Sequence, residues 1–196
     1  MDSMTRDFRQ AVRLVALLNL AYFGVEFAVA LSIGSVSLLA DSIDFLEDTS
    51  VNFLILVALA WPALWRARLG KAMALVLLIP SLAAVWVAYQ KLGHFVPPTA
   101  GPLTLTGLGA LIVNVGCAFI LVKHRHRSGS LSKAAFLSAR NDAFANIAIV
   151  AAGLVTALYP SAWPDLIVGI GIAVMNADAA REIWEAANKE HLTAEA

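Results

Sequence analysis

Six acidic residues lie more than three residues from either end of the long apolar stretches of this sequence: Glu26, Asp41, Asp44, Glu47, Asp48 and Asp142. One embedded basic residue, Arg140, accompanies them. A charged side chain at the centre of a bilayer costs about 2.5–3.5 kcal/mol on insertion scales. A buried carboxylate therefore takes up a proton, pairs with a base or binds a cation. Because one arginine cannot neutralise six acids, protons or metal ions must neutralise some of the others.

The spacing of the acids in the second apolar stretch favours a shared ion. At 100° per residue, Asp41, Asp44 and Asp48 fall within an arc of about 60° on a helix, and Glu47 widens that arc to about 120°. Asp44 and Asp48 are one turn apart, about 6 Å along the axis. Side chains at positions i and i+4 are neighbours on a helix, so both carboxylates can reach one ion.

Two other apolar stretches carry polar faces that match this one. The fifth stretch has Ser138, Asn141, Asp142 and Asn146 on one side, and the first has Asn19, Tyr22 and Glu26. Polar stripes on three helices do not face lipid, so we expect them to meet in a shared interior. The candidate ligands are Asp44, Asp48 and Asp142, with Ser138, Asn141 and Asp41 as weaker candidates.

Structural roles remain open for several of the other polar residues. Asp41 lies near the outer end of its stretch, where it either reaches the interface, caps the helix or joins the ligands. Glu47 either pairs with Arg140 or faces a water-filled gap. Four residues are of a type that forms hydrogen bonds between membrane helices: Glu26, Asn19, Tyr22 and Asn114.

The composition of the chain excludes several classes of protein. Of its 196 residues, 60% are hydrophobic and 14% are charged, whereas a soluble domain has about 45–50% apolar and about 25% charged residues. The apolar content also excludes intrinsic disorder, and the single Cys117 excludes a disulfide framework. The balance of 14 basic and 14 acidic residues favours no nucleic-acid partner. The sequence contains no nucleophile–base pair or phosphate loop typical of an enzyme.

Six apolar stretches are long enough to cross a membrane as helices; they span 14–32, 36–61, 72–89, 103–122, 131–158 and 164–180. Twelve of the 14 basic residues precede the first stretch, follow the sixth, or lie in or within three residues of the connections after the second and fourth. Basic residues mark the cytoplasmic side. We therefore predict an all-α, six-transmembrane-helix bundle over residues 1–185, with both termini cytoplasmic and a short tail at 186–196.

The N-terminal stretch also has features of a cleavable signal peptide. Three arginines precede an apolar run that contains Ala28-Val29-Ala30. The run is longer than a usual signal core, contains Glu26 and is needed for the even number of spans, so we favour a permanent helix.

The motifs in the second and fifth stretches resemble those of the cation diffusion facilitators, which are metal-ion/proton antiporters with six transmembrane helices. The segment LLADSIDFLED is similar to the second helix of that family, with Asp44 and Asp48 at the positions of its H/D-x-x-x-D ligand motif. The segment AAFLSARNDAFANIAIVAAG is similar to the fifth helix, which carries the same motif and places Asp142 at its second ligand. The likeness extends over roughly residues 11 to 185.

The sequence departs from the family pattern in two places. The fifth-helix motif has Ser138 where the family has His or Asp, so Asn141 or a water is an alternative fourth ligand. The family also has a cytoplasmic C-terminal domain that helps it to dimerise, and this chain ends before such a domain. Any homodimer is therefore expected to be held by the transmembrane helices.

The resemblance implies export of a divalent transition metal in exchange for protons, across the plasma (inner) membrane. Oxygen ligands favour harder ions, but zinc also accepts carboxylates and is the commonest substrate of the family. Zinc is the first choice, and iron, manganese, cobalt and cadmium remain open. No cofactor is expected besides the transported ion. Two other classes remain: a proton-coupled exporter of organic cations, with Phe45 and Tyr22 beside the acids, and a non-transporting sensor or assembly subunit.

Overall fold

The computed structural model describes residues 3–58, 85–91, 96–122 and 129–175, together with the single positions 62, 65, 68, 82, 181 and 185. Within those ranges, the side chains of residues 3–5 and 129–141 are not described. Most of the predicted third span and all of the predicted tail at 186–196 lie outside the described residues.

The described residues form helices and contain no strand. The helices are α1 (Ser3–Ile33), α2 (Val36–Ala58), α3 (85–91), α4 (Ala100–Val122), α5 (Gly129–Leu158) and α6 (Trp163–Met175). The prediction of an all-α bundle of six helices is confirmed. Helix α1 begins well before the predicted apolar span, because backbone hydrogen bonding continues through the polar residues that hydropathy assigns to the flank.

Four of the helices form the centre of the bundle. Helix α1 packs against α2 and α4, α4 packs against α5, and α2 contacts α5. One apolar cluster fills the end of the bundle near the α1–α2 turn: Ala30, Leu38, Leu39, Ala40, Ile43, Leu103, Ile149 and Ile172. A second cluster of Val15, Cys117 and Leu121 lies toward the other end. Three buried polar residues, Asn19 and Glu26 of α1 and Asn114 of α4, lie between these two clusters along their helices.

The outer surface of the bundle is apolar. Large side chains such as Leu105, Ile112 and Phe119 are 66–70% exposed, and soluble monomers rarely expose such continuous apolar surface. In the part of the chain that the structure describes, two helices, Arg6–Ile33 and Ala100–Val122, are long and apolar enough to cross a membrane by themselves. Helix α2 has 23 residues, as many as α4, but it contains four acidic residues that lower its mean hydropathy. The apolar segments Asp142–Leu158 and Trp163–Met175 are shorter.

A tight turn brings α1 back against α2, and α6 closes over the start of α2. Gly34 makes the turn with φ of 63°, a left-handed conformation that favours glycine. A Cβ on Gly169 would lie 2.7 Å from the backbone nitrogen of Ser37, so only glycine lets α6 approach this closely. This contact places Asp165, one turn earlier on α6, at the first turn of α2.

Candidate cation site

Asp48 of α2 accepts a hydrogen bond from Asn19 of α1, and Asn19 is held in turn by α4. The Asn19 side chain of α1 donates from Nδ2 to Asp48 Oδ2 over 3.2 Å, and Cys117 Sγ of α4 donates to Asn19 Oδ1 over 3.5 Å. All three residues are buried. The hydrogen bond between helices predicted for Asn19 is confirmed, and it fixes the position of a predicted metal ligand.

A second chain of hydrogen bonds joins α4, α5 and α2. Asn114 Nδ2 donates to Asn146 Oδ1 over 2.9 Å, and Asn146 Nδ2 donates to Asp41 Oδ2 over 2.5 Å. The role predicted for Asn114 between helices is confirmed. Asp41 is fully buried, so it neither reaches the interface nor caps the helix.

Tyr22 links α1 to α4 beside the acids. Its hydroxyl donates to the carbonyl oxygen of Thr106 over 2.6 Å, as the prediction of a bond between helices requires. Its ring lies 5.1 Å from that of Phe45, at an angle of 48°. The two aromatic residues therefore pack against each other between α1 and α2.

Asp44 lies at the centre of the acidic cluster. Its carboxyl group interacts electrostatically with Asp142 of α5 and, on α2, with Asp41, Glu47 and Asp48. Since Asp44 and Asp142 are far apart in sequence, this proximity results from the contact between α2 and α5. The structure thus brings the acids of the second and fifth predicted spans into one region of the interior.

Among the side chains that the structure describes, no three His, Cys, Asp or Glu residues are arranged to hold one metal ion. The side chains of Ser138 and Asn141, the two other candidates on α5, lie outside the described part, as does that of Arg140. The joint ligand set of Asp44, Asp48 and Asp142 therefore stays a prediction.

Glu26 is fully buried, and no N–H or hydroxyl group of another described residue reaches its carboxyl oxygens. Its carboxyl group is instead hydrogen-bonded to that of Asp41 on α2. The hydrogen bond between helices predicted for Glu26 is therefore formed, with another acid as the partner. Its carboxyl group interacts electrostatically with those of Asp41 and Asp44 across the α1–α2 contact.

Asp165 is a further buried acid, and the sequence analysis did not single it out. Its carboxylate accepts five hydrogen bonds, with donor–acceptor distances between 2.6 and 3.1 Å, from Lys91 Nζ, the hydroxyls of Ser35 and Ser37, and the backbone N–H groups of Val36 and Ser37. It thereby caps the N-terminus of α2 from another helix and forms a buried ion pair with Lys91. One signal was present in the sequence, because Lys91 is the one basic residue on the predicted outer side and Asp165 lies at the start of the sixth span.

An apolar exterior around a helical core that contains buried carboxylates is the architecture of a membrane transporter for cations. The chain belongs to the cation efflux family, since the family model described as the cation efflux transmembrane domain matches residues 12–188. The predicted resemblance to the cation diffusion facilitators is thereby confirmed, and the protein is a membrane-embedded cation transporter. No curated protein matches the chain.

Proposed function

We propose that the protein exports a divalent transition-metal cation, with zinc as the first candidate, in exchange for protons. All six helices would cross the plasma membrane, with both termini in the cytoplasm. The observation that carries this proposal is the position of Asp44 beside Asp142, Asp41, Glu47 and Asp48 in the layer between two apolar clusters. Buried carboxylates take up protons, pair with bases or bind cations, and a cation shared by these acids would reduce the repulsion between them.

We assign Asp44, Asp48 and Asp142 as the ligands. Asp44 and Asp48 lie one turn apart on α2, and Asp142 interacts with Asp44 from α5. In this proposal the oxygens of the three carboxylates share one ion, with Ser138, Asn141 or a water as the fourth ligand. Asp41 is left out of this set because it precedes the H/D-x-x-x-D motif, whose two positions are Asp44 and Asp48.

The charge of this ligand set supplies a mechanism for exchange. Three carboxylates carry more negative charge than one divalent ion neutralises, so repulsion and desolvation favour protonation of one or two of them in the empty site. An ion that enters from the cytoplasm displaces those protons, and protons from outside reload the site. Helix bundles that rock around a fixed midplane site provide alternating access.

Transport by the purified protein in liposomes tests this proposal. Zinc, iron, manganese, cobalt, cadmium and a quaternary amine are each offered as substrate while the internal pH is recorded. We expect metal uptake coupled to proton movement in the opposite direction, with no amine flux. Amine flux without metal flux would instead support an organic-cation exporter, and a folded protein that moves no ion would support a sensor or assembly subunit.

A further inference from the structure

Asn19 of α1 lies between two partners that come from different helices. Its Nδ2 donates to Asp48 Oδ2 of α2 over 3.2 Å, and its Oδ1 accepts a hydrogen bond from Cys117 Sγ of α4 over 3.5 Å. All three side chains are buried. They form one hydrogen-bonded relay, the Cys117–Asn19–Asp48 relay, which ends on a proposed metal ligand.

The two partners of Asn19 select one orientation of its amide. An amide side chain offers a donor on one side and an acceptor on the other. If the amide were turned over, its oxygen would face the Asp48 carboxylate, and both groups are acceptors. Its NH2 group would then face Cys117, whose thiol is at best a weak acceptor. Cys117 thus holds the amide with the NH2 group toward Asp48.

Apolar packing keeps this relay in place. Val15, one turn before Asn19 on α1, packs in one buried cluster with Cys117 and Leu121 of α4. Leu121 lies one turn after Cys117, so the cluster joins α1 to α4 directly beside the relay. The position of the Asn19 amide is therefore set by helix packing as well as by hydrogen bonds.

Asn19 gives Asp48 a hydrogen bond without giving it a charge. The carboxylate of Asp165, by contrast, pairs with the Lys91 ammonium over 3.0 Å. A lysine neutralises a carboxylate and competes with a metal ion for it, whereas an amide orients the carboxylate and leaves its charge for a cation. An amide partner therefore suits a carboxylate that binds an ion better than one that only holds helices together.

We propose that Asn19 is a positioning residue for the metal ligand Asp48, and that Cys117 acts on the same ligand by orienting Asn19. This role rests on the proposed transport function, in which Asp48 binds the ion. Groups that hydrogen-bond to a metal ligand fix its orientation, and their loss typically lowers metal affinity by about 10–100-fold. The relay therefore sets how tightly the site holds its ion.

The zinc dependence of uptake tests this role. Initial rates of zinc uptake into liposomes are measured over a range of zinc concentrations for the wild type, Asn19→Leu, Cys117→Ala and Asn114→Leu. Leucine keeps the branched shape of asparagine without its donor. Asn19→Leu should therefore raise the half-saturating zinc concentration by about 10–100-fold and leave the maximal rate close to that of the wild type. Cys117→Ala keeps Asn19 and removes only the donor to its Oδ1, so it should raise the half-saturating concentration by a smaller factor, about 2–10-fold.

Asn114→Leu is the matched control for the loss of a buried amide. Asn114 is also buried, and its Nδ2 also donates to another helix, but the acceptor is Asn146 Oδ1 rather than a proposed ligand. It should therefore lower the melting temperature in detergent as Asn19→Leu does, while it keeps the wild-type half-saturating concentration. A similar loss of stability with a different zinc dependence separates positioning of a ligand from packing.

The outcomes distinguish this role from the proposed transport function. If the half-saturating concentration of Asn19→Leu equals that of the wild type, or rises only as far as that of Asn114→Leu, the role of Asn19 is overturned and the transport function stands. An unchanged value in Cys117→Ala overturns the role of Cys117, and this variant decides the whole proposal if Asn19→Leu does not fold or moves no zinc. A wild-type protein that moves no zinc contradicts the transport function, on which the role of Asn19 depends.

Discussion

The buried ion pair between Lys91 and Asp165 gives a stability prediction whose size follows from its geometry. In Asp165→Asn, the Lys91 ammonium, with only 9% of its side chain exposed, loses its one described carboxylate partner. Breaking a buried pair in this way costs about 3–5 kcal/mol. In Lys91→Met, the carboxylate keeps the four donors from Ser35, Val36 and Ser37. Loss of one hydrogen bond to a charged group then costs about 1.5–3 kcal/mol.

Thermal unfolding in detergent, followed by tryptophan fluorescence, measures this difference. One kcal/mol shifts the melting temperature of a chain this long by about 2–4 °C. Asp165→Asn should therefore lower it by about 6–20 °C and Lys91→Met by about 3–12 °C. The double variant should be more stable than the sum of the single effects predicts, because neither charge is then left without its partner.

Arg181→Gln is the matched control for this series. It removes an exposed i,i+4 ion pair with Glu185 of similar length, 2.8 Å, and such pairs contribute about 0–1 kcal/mol. The reasoning is refuted if Asp165→Asn melts at the wild-type temperature, or if Lys91→Met is the more damaging of the two single variants.

Three further predictions concern the packing and the polar layer. Gly169→Ala should lower stability by about 1–3 kcal/mol, because the new methyl group meets the backbone of Ser37; an unchanged melting temperature would contradict the close approach of α6. Asn146→Ala should cost about 1–3 kcal/mol, since it removes the donor to Asp41, and a neutral effect in the same melting assay would contradict that bond. Cys117 is fully buried, so a maleimide should label it only after unfolding, whereas rapid labelling of the native protein would place it in contact with water.

Much of the fold follows from the pattern of apolar and polar residues along the chain. The apolar stretches predicted the helices, and the predicted ends of the second, fourth and fifth spans agree with the structure at Val36, Val122 and Leu158. The helical spacing of the acids also placed Asp44 and Asp48 one turn apart. These features depend on local periodicity, which a single sequence contains.

Contacts between distant parts of the chain could not be derived in the same way. The bond from Asn146 to Asp41 and the pair of Lys91 with Asp165 depend on how helices rotate and tilt against one another. Glu26 illustrates the same point, because its polar character predicted a hydrogen bond between helices but not that the partner would be another acid, Asp41. Residue type identifies which groups need a partner, and packing decides which of them obtain one.

The most direct test of the proposed function is zinc-driven proton movement in liposomes that contain the purified protein, Asp48→Ala, Asp142→Ala or Glu185→Ala. A zinc gradient should move protons in the wild type and in the exposed-acid control Glu185→Ala. It should move none in the two variants that lack a proposed ligand. Full zinc-driven proton flux in both Asp48→Ala and Asp142→Ala would contradict a metal site built from these carboxylates.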